Sequence, residues 1–427
     1  MSAHKAINMR ATVHALQSKL SCAAKQSLER KFGALYDKVY REDVVRVAWD
    51  LVKANDGVPG VDRQDFEYIE NKIGVEEFLS ELRDDLRAEK YRPLPVLRCW
   101  IEKPGKPEKR PLGIPIIRDR VAQMAMKLVI EPLFEANFLN CSHGFRKGLS
   151  CHTAMDMIRR AITFDGYTTV IDADITGCFS NIRHDLLLKL VGRRINDKRV
   201  IRLLRAWLKA GVMEDGVYEE AGEAGTPQGG VISPLLSNIY LHSFDKMFQE
   251  SGIAGKLVRY ADDFVVLVKE SGTDVLERIR EMLKRLGLQM HPEKTRLTSA
   301  YRGFDFLSVH FRMLPVRKKT SRLKECCRLW PSDKAVERIK EKIRLKIGRR
   351  YGLTLEELMQ EINPVIRGWN NYQARMRPER SRFTKLNDFL YDQIRIFLKR
   401  KYSDQSRGYR RVLGNLPVQL GCAQFGW

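Results

Sequence analysis

Two apolar segments carry carboxylates where a lone charge would be costly. Thr168 to Ile175 (Thr-Thr-Val-Ile-Asp-Ala-Asp-Ile) is a β-branched run that reads as a strand ending near Asp174. Lys256 to Lys269 holds two short apolar runs around Tyr260-Ala261-Asp262-Asp263, which reads as a β-hairpin with acids at its turn. Ionised groups in such surroundings are paired or bind metal. A single Asp-Asp turn would simply face solvent. Two acid-tipped strands in one chain can instead meet in one sheet, where their repulsion demands a cation. Hard oxygen ligands favour Mg²⁺, with Mn²⁺ the alternative of the same type. Two such ions clamp the attacking and leaving oxygens of a phosphoryl transfer.

The charge balance points the same way. The chain of 427 residues has 76 Lys+Arg against 53 Asp+Glu, a net charge of +23. Residues 311–427 alone carry 28 Lys+Arg and 11 Asp+Glu, so +17 of the excess lies in the last quarter. The partner is therefore a polyanion, and the layout is a nearly balanced body followed by a basic module. No run of about 18 apolar residues or aromatic, polybasic amphipathic helix supports a membrane partner. The N-terminus has no apolar stretch of the secretory kind. The eight cysteines include no CxxC pair, and Cys141-x-His143 and Cys151-His152 lack a matching second pair, so no zinc site is expected. Scattered thiols fit a cytoplasmic protein.

The pattern along the chain is α+β in the middle and helical at both ends. Helices are expected in 1–50, over Phe78–Leu86, Arg118–Phe138, Leu186–Ala210, Ile232–Phe248 and Val275–Leu286, and over most of the chain from Asp333. Asn55 to Asp62 reads as a loop, Pro93 to Pro107 as extended pieces, and Phe304–Phe311 as a strand.

Tyr260-Ala261-Asp262-Asp263 resembles the YxDD signature of reverse transcriptases, and its neighbours resemble the bacterial group II intron branch. These are Ile101-Glu102-Lys103 with Arg110-Pro111-Leu112-Gly113-Ile114-Pro115, Ser142-His143-Gly144-Phe145-Arg146, Asp174 to Phe179, Thr226 to Pro234, and His291-Pro292-Glu293-Lys294-Thr295, all in the family's order. Gly57-Val58-Pro59-Gly60-Val61-Asp62 is similar to an element of that lineage, and Arg367-Gly368-Trp369-Asn370-Asn371-Tyr372 resembles its maturase domain. The likeness covers roughly residues 45–400.

The resemblance implies a right-hand polymerase, with fingers and a palm built on an antiparallel sheet. An all-α thumb and a short basic segment follow. Its expected boundaries are a 1–62 helical extension and loop, a 63–312 fingers and palm, a 313–390 thumb/maturase domain and a 391–427 DNA-binding segment. It makes Asp174 and Asp262 the principal metal ligands, with Asp263 a third and the Ile175 carbonyl completing one shell. Asp172, two residues before Asp174 on the same strand face, is the decoy. Phe179 would abut the ribose 2′ position, and Lys103, Arg110 and Gln228 would hold the incoming dNTP. Lys294 would protonate departing pyrophosphate. Arg146 would support the template strand or the fingers structure, and Tyr260 would pack beneath the primer terminus. Arg344, Arg349, Arg350, Trp369, Tyr372 and Arg375 would contact nucleic acid, with Trp369 equally open to burial between helices.

The implied activity is RNA-directed DNA polymerisation by a bacterial ribonucleoprotein. It would use an RNA template with a DNA primer, and would also bind group II intron RNA as a splicing maturase and reach target DNA for mobility. The chain's end at Trp427, without an HNH-type motif, implies the endonuclease-free, group IIC-like lineage. Two other readings stay open. One is a domesticated relative in DNA repair or CRISPR spacer acquisition, and the other is an RNA-binding maturase without polymerase activity.

Overall fold

The structure is a computed structural model that describes residues 3–102, 108–269, 271–316, 323–348, 352–373, 380–401 and 421–426. It divides into two compact units. Residues 1–150, 173–264 and 273–295 form the first, and residues 151–172, 265–272 and 296–427 the second.

In the first unit, helices Ala3–Gln26, Glu42–Ala54 and Ile117–Glu135 pack together. Glu42–Ala54 is amphipathic at helical spacing and buries Val44, Val45, Ala48, Trp49 and Val52. Trp49 meets Phe66 and Phe78 at ring distances of 5.6 and 5.5 Å. The loop after this helix is pinned from below. Arg120, buried in Ile117–Glu135, donates to the carbonyls of Val58 and Pro115. A Cβ at Gly60 would strike the backbone of Ile116 at 2.7 Å, so this crossing needs glycine.

Strands β1 (Val96–Glu102) and β2 (Lys109–Ile114) form an antiparallel pair, with Leu97 opposite Ile114 and Glu102 opposite Lys109. The prolines around them let only extended pieces be expected from sequence. After β3 (Thr169–Asp174) come β4 (Val212–Glu214) and β5 (Val217–Glu219), which complete the sheet of order β2-β1-β4-β5. A second sheet has order β6-β7-β3-β8, from β6 (Gly255–Tyr260), β7 (Asp263–Val268) and β8 (Arg296–Ser299). Phe264 to Val268 are all buried, the continuous apolar run of a strand covered on both faces.

Two expectations are corrected. The single helix expected over Leu186–Ala210 is two, His184–Gly192 and Lys198–Leu208. Asp197 breaks it, because its carboxylate accepts from the amides of Leu35, Tyr36 and Arg199 and so caps helix starts from two parts of the chain. The strand expected over Phe304–Phe311 is also two, β9 (Phe304–Phe306) and β10 (Val309–Pro315). Between them Leu307 and Ser308 both take positive φ (49° and 65°) and reverse the chain. With β11 (Glu325–Pro331) they form the antiparallel sheet β11-β10-β9 of the second unit.

The basic C-terminal region folds as helices Asp333–Ile347, Leu355–Gln373 and Arg380–Lys401. Ile339, Ile343, Leu358, Ile362, Ile366, Leu386, Leu390 and Ile394 form their common core. At roughly 1.5–3 kcal/mol per buried side chain, this core rather than helix propensity holds a segment so rich in charge. Residues 421–426 return to it and are held by three asparagines. Asn363 donates to Gly421 O (2.8 Å) and accepts from Ala423 N (2.7 Å). Asn387 donates to Phe425 O (3.0 Å) and accepts from its N–H (2.8 Å). Asn370 donates to Gln424 O (2.6 Å) and accepts from Gly426 N (3.2 Å).

Candidate active site

Asp174 is the last residue of β3, and Asp262 and Asp263 bracket the step from β6 into β7. The Ile175 amide donates to the carbonyl of Asp262 at 3.3 Å, so the two acid-bearing turns are joined through the backbone. On its other side the Asp174 turn is tied to 289–291. Thr176 N donates to Gln289 O at 2.9 Å and His291 N to Asp174 O at 2.8 Å. That tie delivers Lys294, whose ammonium is ion-paired with the carboxylate of Asp174. Asp172 lies outside this cluster, facing Arg296 of β8 across the strand pair.

The electrostatics are those of crowded acids. Burial raises Asp262 above the usual carboxylate range and Asp174 adds to the rise, while Arg110 and Lys294 oppose it. Asp263 is pushed up to about 8 by surrounding protein, by the charge of Asp262 and by its hydrogen bond to Asp174. By surface area Asp263 is nonetheless exposed. Like-charge repulsion is therefore the cause that solvent removes least, and a cation among the three acids would relieve it. The donor set is all carboxylate, which suits a hard divalent ion, and Lys294 already brings one positive charge to it. Among the described residues no three acid, imidazole or thiol side chains form a ready metal cage. The residues thus fit an open site completed by substrate oxygens better than a closed structural one.

The turn between the acids is strained and heavily supported. Ala261 has φ +57°, a left-handed conformation that costs a non-glycine residue about 1–2 kcal/mol. Beneath it lies Arg259, fully buried with all five guanidinium bonds made. Two go to Asp245 (2.7 and 2.5 Å), and one each to Asn238 Oδ1 (3.2 Å), Ala261 O (2.9 Å) and Ser142 Oγ (2.8 Å). Residues 141–143 lie alongside β6, through Arg259 N to Cys141 O (2.7 Å) and His143 N to Arg259 O (2.8 Å). Asn238 also donates to Gly144 O at 2.9 Å. A Cβ on Gly144 would come within 2.5 Å of Ala261 N. Ser142-His143-Gly144 is thus the buttress of the turn that carries Asp262 and Asp263. Asn238, Asp245 and Arg259 escaped the sequence reading. The one legible signal was an arginine inside the apolar run Leu257-Val258-Arg259-Tyr260.

The nucleotide side is assembled from distant pieces. Phe179 follows Asp174 in a short 3₁₀ turn and is half-buried, not a core residue. Its carbonyl accepts from Thr226 N at 2.8 Å, which lays the Thr226–Gly230 loop beside it. Gly113 N in β2 donates to the Gln228 carbonyl at 2.6 Å, and a Cβ on Gly229 would meet Gly113 O at 2.6 Å. The exposed Arg110 lies three residues before Gly113 on the same strand. Lys103 lies outside the described residues.

The remaining expected contacts fare variously. Arg146 is turned inward: its side chain is 7% exposed and bonded to Glu135, Leu139 O and Ser142 O, so it braces residues 139–142, in line with the structural one of its two expected roles. Tyr260 is half-buried at the end of β6. Trp369 stacks edge-on against Phe383 and Phe425, and the Tyr372 hydroxyl donates to Leu307 O at 2.7 Å; both rings are engaged in packing. Arg344 is exposed, with its guanidinium 5.0 Å from the Phe389 ring. Arg349, Arg350 and Arg375 lie outside the described residues.

Acids on adjoining strand tips, a cationic strand pair and a half-exposed aromatic beside them define a palm-type nucleotidyl transferase. Residues 101–311 match the family model "Reverse transcriptase (RNA-dependent DNA polymerase)", and residues 336–413 match "Group II intron, maturase-specific domain". Protein YkfC of Escherichia coli (strain K12) is 38% identical over 288 residues, 58% of this chain and 74% of YkfC. Group II intron-encoded protein LtrA of Lactococcus lactis subsp. cremoris is 29% identical over an alignment of 464 residues, 88% of this chain and 76% of LtrA. The chain belongs to the group II intron reverse transcriptase/maturase family, and it is an RNA-directed DNA polymerase.

Proposed function

We propose that the chain extends a DNA 3′ end on an RNA template and that it also binds its parent group II intron RNA as a maturase, supporting mobility by target-primed reverse transcription. It would act as a ribonucleoprotein in the bacterial cytoplasm. The observation that carries the polymerase half is the meeting of Asp174, Asp262, Asp263 and Lys294 in one cluster, with Arg110 near enough to act on Asp262.

In this reading Asp174, Asp262 and the Ile175 carbonyl would hold two Mg²⁺ ions, with Asp263 in support, and the ions would supply positive charge to offset that of the triphosphate and the primer 3′-oxygen. Arg110 and Lys103 grip the triphosphate, Arg with a planar fork and Lys as a point charge. Gln228 and Phe179 bound the sugar. The primer 3′-hydroxyl gives its proton to solvent as its oxygen bonds to the α-phosphorus, and the bond to pyrophosphate breaks. Lys294, held by Asp174 until then, gives a proton to the departing pyrophosphate. We assign residues 63–312 to fingers and palm, 313–390 to the thumb/maturase domain, 391–427 to DNA contact, and 1–62 to an extension.

Primer extension on poly(rA)/oligo(dT) with Mg²⁺ tests the polymerase half, and product should accumulate. No product from folded, pure protein would sink it and favour a maturase that only binds RNA. Recovery and sequencing of RNA bound in cells tests the other half, with intron sequence expected.

A further inference from the structure

We propose that a cavity on the first unit, apart from the acid cluster, captures one unstacked nucleotide of a single-stranded RNA. The cavity measures about 480 Å³ and lies among Leu28–Lys31, Phe134–Phe138, Lys189–Arg194 and Ile239–Lys246. None of its lining residues belongs to the polymerase site. Its size falls within the usual range for small-molecule pockets, which begins near 300 Å³.

Three features select the ligand class. The first is charge. Lys31, Lys189, Arg193 and Lys246 stand around the cavity against one acid, Glu29, and no ion pair joins any of the four to a carboxylate among the described residues. Unpaired cations around a concavity favour a phosphate-bearing guest. The second is the apolar wall of Phe134, Phe138, Leu190 and Ile239, which offers a base a surface to pack on.

The third is a set of unsatisfied polar atoms. Both ring nitrogens of His242, Asn137 Oδ1 and Arg194 Nε are buried without a hydrogen-bond partner among the described residues, and all three residues line this cavity. An unmade bond of this kind is costly, so several on one wall need an explanation. Burial holds the His242 imidazole neutral, lowering it to about 4, so it offers one donor and one acceptor. A small ring rotation would turn one nitrogen to the edge of a base. Phosphate alone would leave the apolar wall unused, and an apolar peptide would leave the cations and polar atoms unmet.

The rim is built to persist. Arg194 donates to the carbonyls of Ser27, Leu28 and Arg30, which fixes the 27–31 loop and places a buried cation under the cavity.

The experiment is photocrosslinking of a 4-thiouridine-substituted 12-mer RNA to the full chain, after an annealed primer–template has filled the polymerase cleft. Crosslinked peptides are mapped by mass spectrometry. Crosslinks are expected on the peptides carrying Phe134–Phe138 and His242. A uridine 12-mer should compete at least tenfold better than an abasic 12-mer of equal charge, or than UMP. His242→Ala and, separately, Lys246→Glu should each cut the mapped crosslink at least fivefold while primer extension stays within twofold of wild type. Crosslinks elsewhere only, or unchanged crosslinks in both variants, would overturn the proposal. Equal competition by the abasic strand would reduce the site to a phosphate patch, and equal competition by UMP would make it a mononucleotide site. Either result refutes capture of an RNA base. Because primer extension is read separately, loss of polymerase activity and loss of the pocket's ligand are distinguishable.

Discussion

The turn that carries Asp262 and Asp263 and the asparagine clasp on residues 421–426 solve the same task, fixing a short irregular segment, by opposite means. Under the turn, one buried arginine spends all five donors on a carboxylate, an amide, a hydroxyl and the Ala261 carbonyl. At the clasp, three neutral side-chain amides pair with backbone groups of 421–426, much as a neighbouring strand would. A charge network is costly to desolvate and fails as a unit. It also fixes position tightly, because breaking any arm strands a buried charge. Neutral amides are individually weak, at about 0.5–1.5 kcal/mol each, and can release one at a time. The charge network thus holds the turn that carries Asp262 and Asp263 in one position, whereas the amides need only keep their segment docked.

Four measurements would break or sharpen this contrast. The largest effect is expected at the acids themselves. Asp262→Asn should cut kcat by roughly 10³-fold or more, several kcal/mol of transition-state stabilisation, with the thermal melt little changed. Activity within tenfold of wild type would remove Asp262 from the chemistry.

Next comes the network. Arg259→Met should cost about 3–5 kcal/mol in urea unfolding, because Asp245 is left charged and buried. Adding Asp245→Leu should recover most of that stability. If the arginine also positions the turn, kcat of the double variant stays low while KM for dNTP barely moves. Return of kcat along with stability would show that the network serves folding alone.

The third concerns pH. Asp119, buried and bonded to Tyr91 and the Leu94 amide, is raised by burial to about 6. The folded state then holds its proton more tightly than the unfolded chain, so this group's contribution is lost as pH rises from about 4 to about 6. His143 in the buttress is lowered to about 4, first by burial and then by Arg146 and Arg259. Its contribution runs the other way: it is present above about 6.5 and lost as pH falls towards 4. Each is worth about 3 kcal/mol at most. His242, also lowered to about 4, adds to the His143 slope, and Asp263, raised to about 8, adds to that of Asp119. Asp119→Asn should therefore make stability rise more steeply, or fall less steeply, from pH 4 to 6 than in wild type, and an unchanged profile would refute the Asp119 assignment.

The smallest effect is expected at the clasp. Asn370→Ala should speed amide exchange in 421–426, at a local cost of about 1–3 kcal/mol, and leave primer extension unchanged. Lost polymerase activity would mean that the clasp does more than hold its segment.

Much of the chemistry was legible in the chain because its signals are local. β-branched runs marked β3 and the strands around Asp262, and the acids at their ends stood out as charges in apolar surroundings. The helices with clear 3.6-residue spacing were read correctly in kind. Proline-rich β1 and β2 gave no periodicity, and Asp197 split an apparently continuous helix by capping from afar. The site showed the same limit. Asp174, Asp262 and Lys294 could be chosen from motifs, but no motif tells that Arg146 turns inward or that Trp369 packs between Phe383 and Phe425.

The sequence by itself determined the reaction type, since carboxylates in apolar strands, ordered motifs and a +23 charge are properties of short segments and composition. Only the tertiary structure decided what holds those carboxylates in place. Arg259 meets Ser142 across 117 positions of chain, and the basic cavity draws its wall from four separate segments. Pairings at that separation arise from the packing of the whole unit, because each partner's burial depends on residues that neither one encodes.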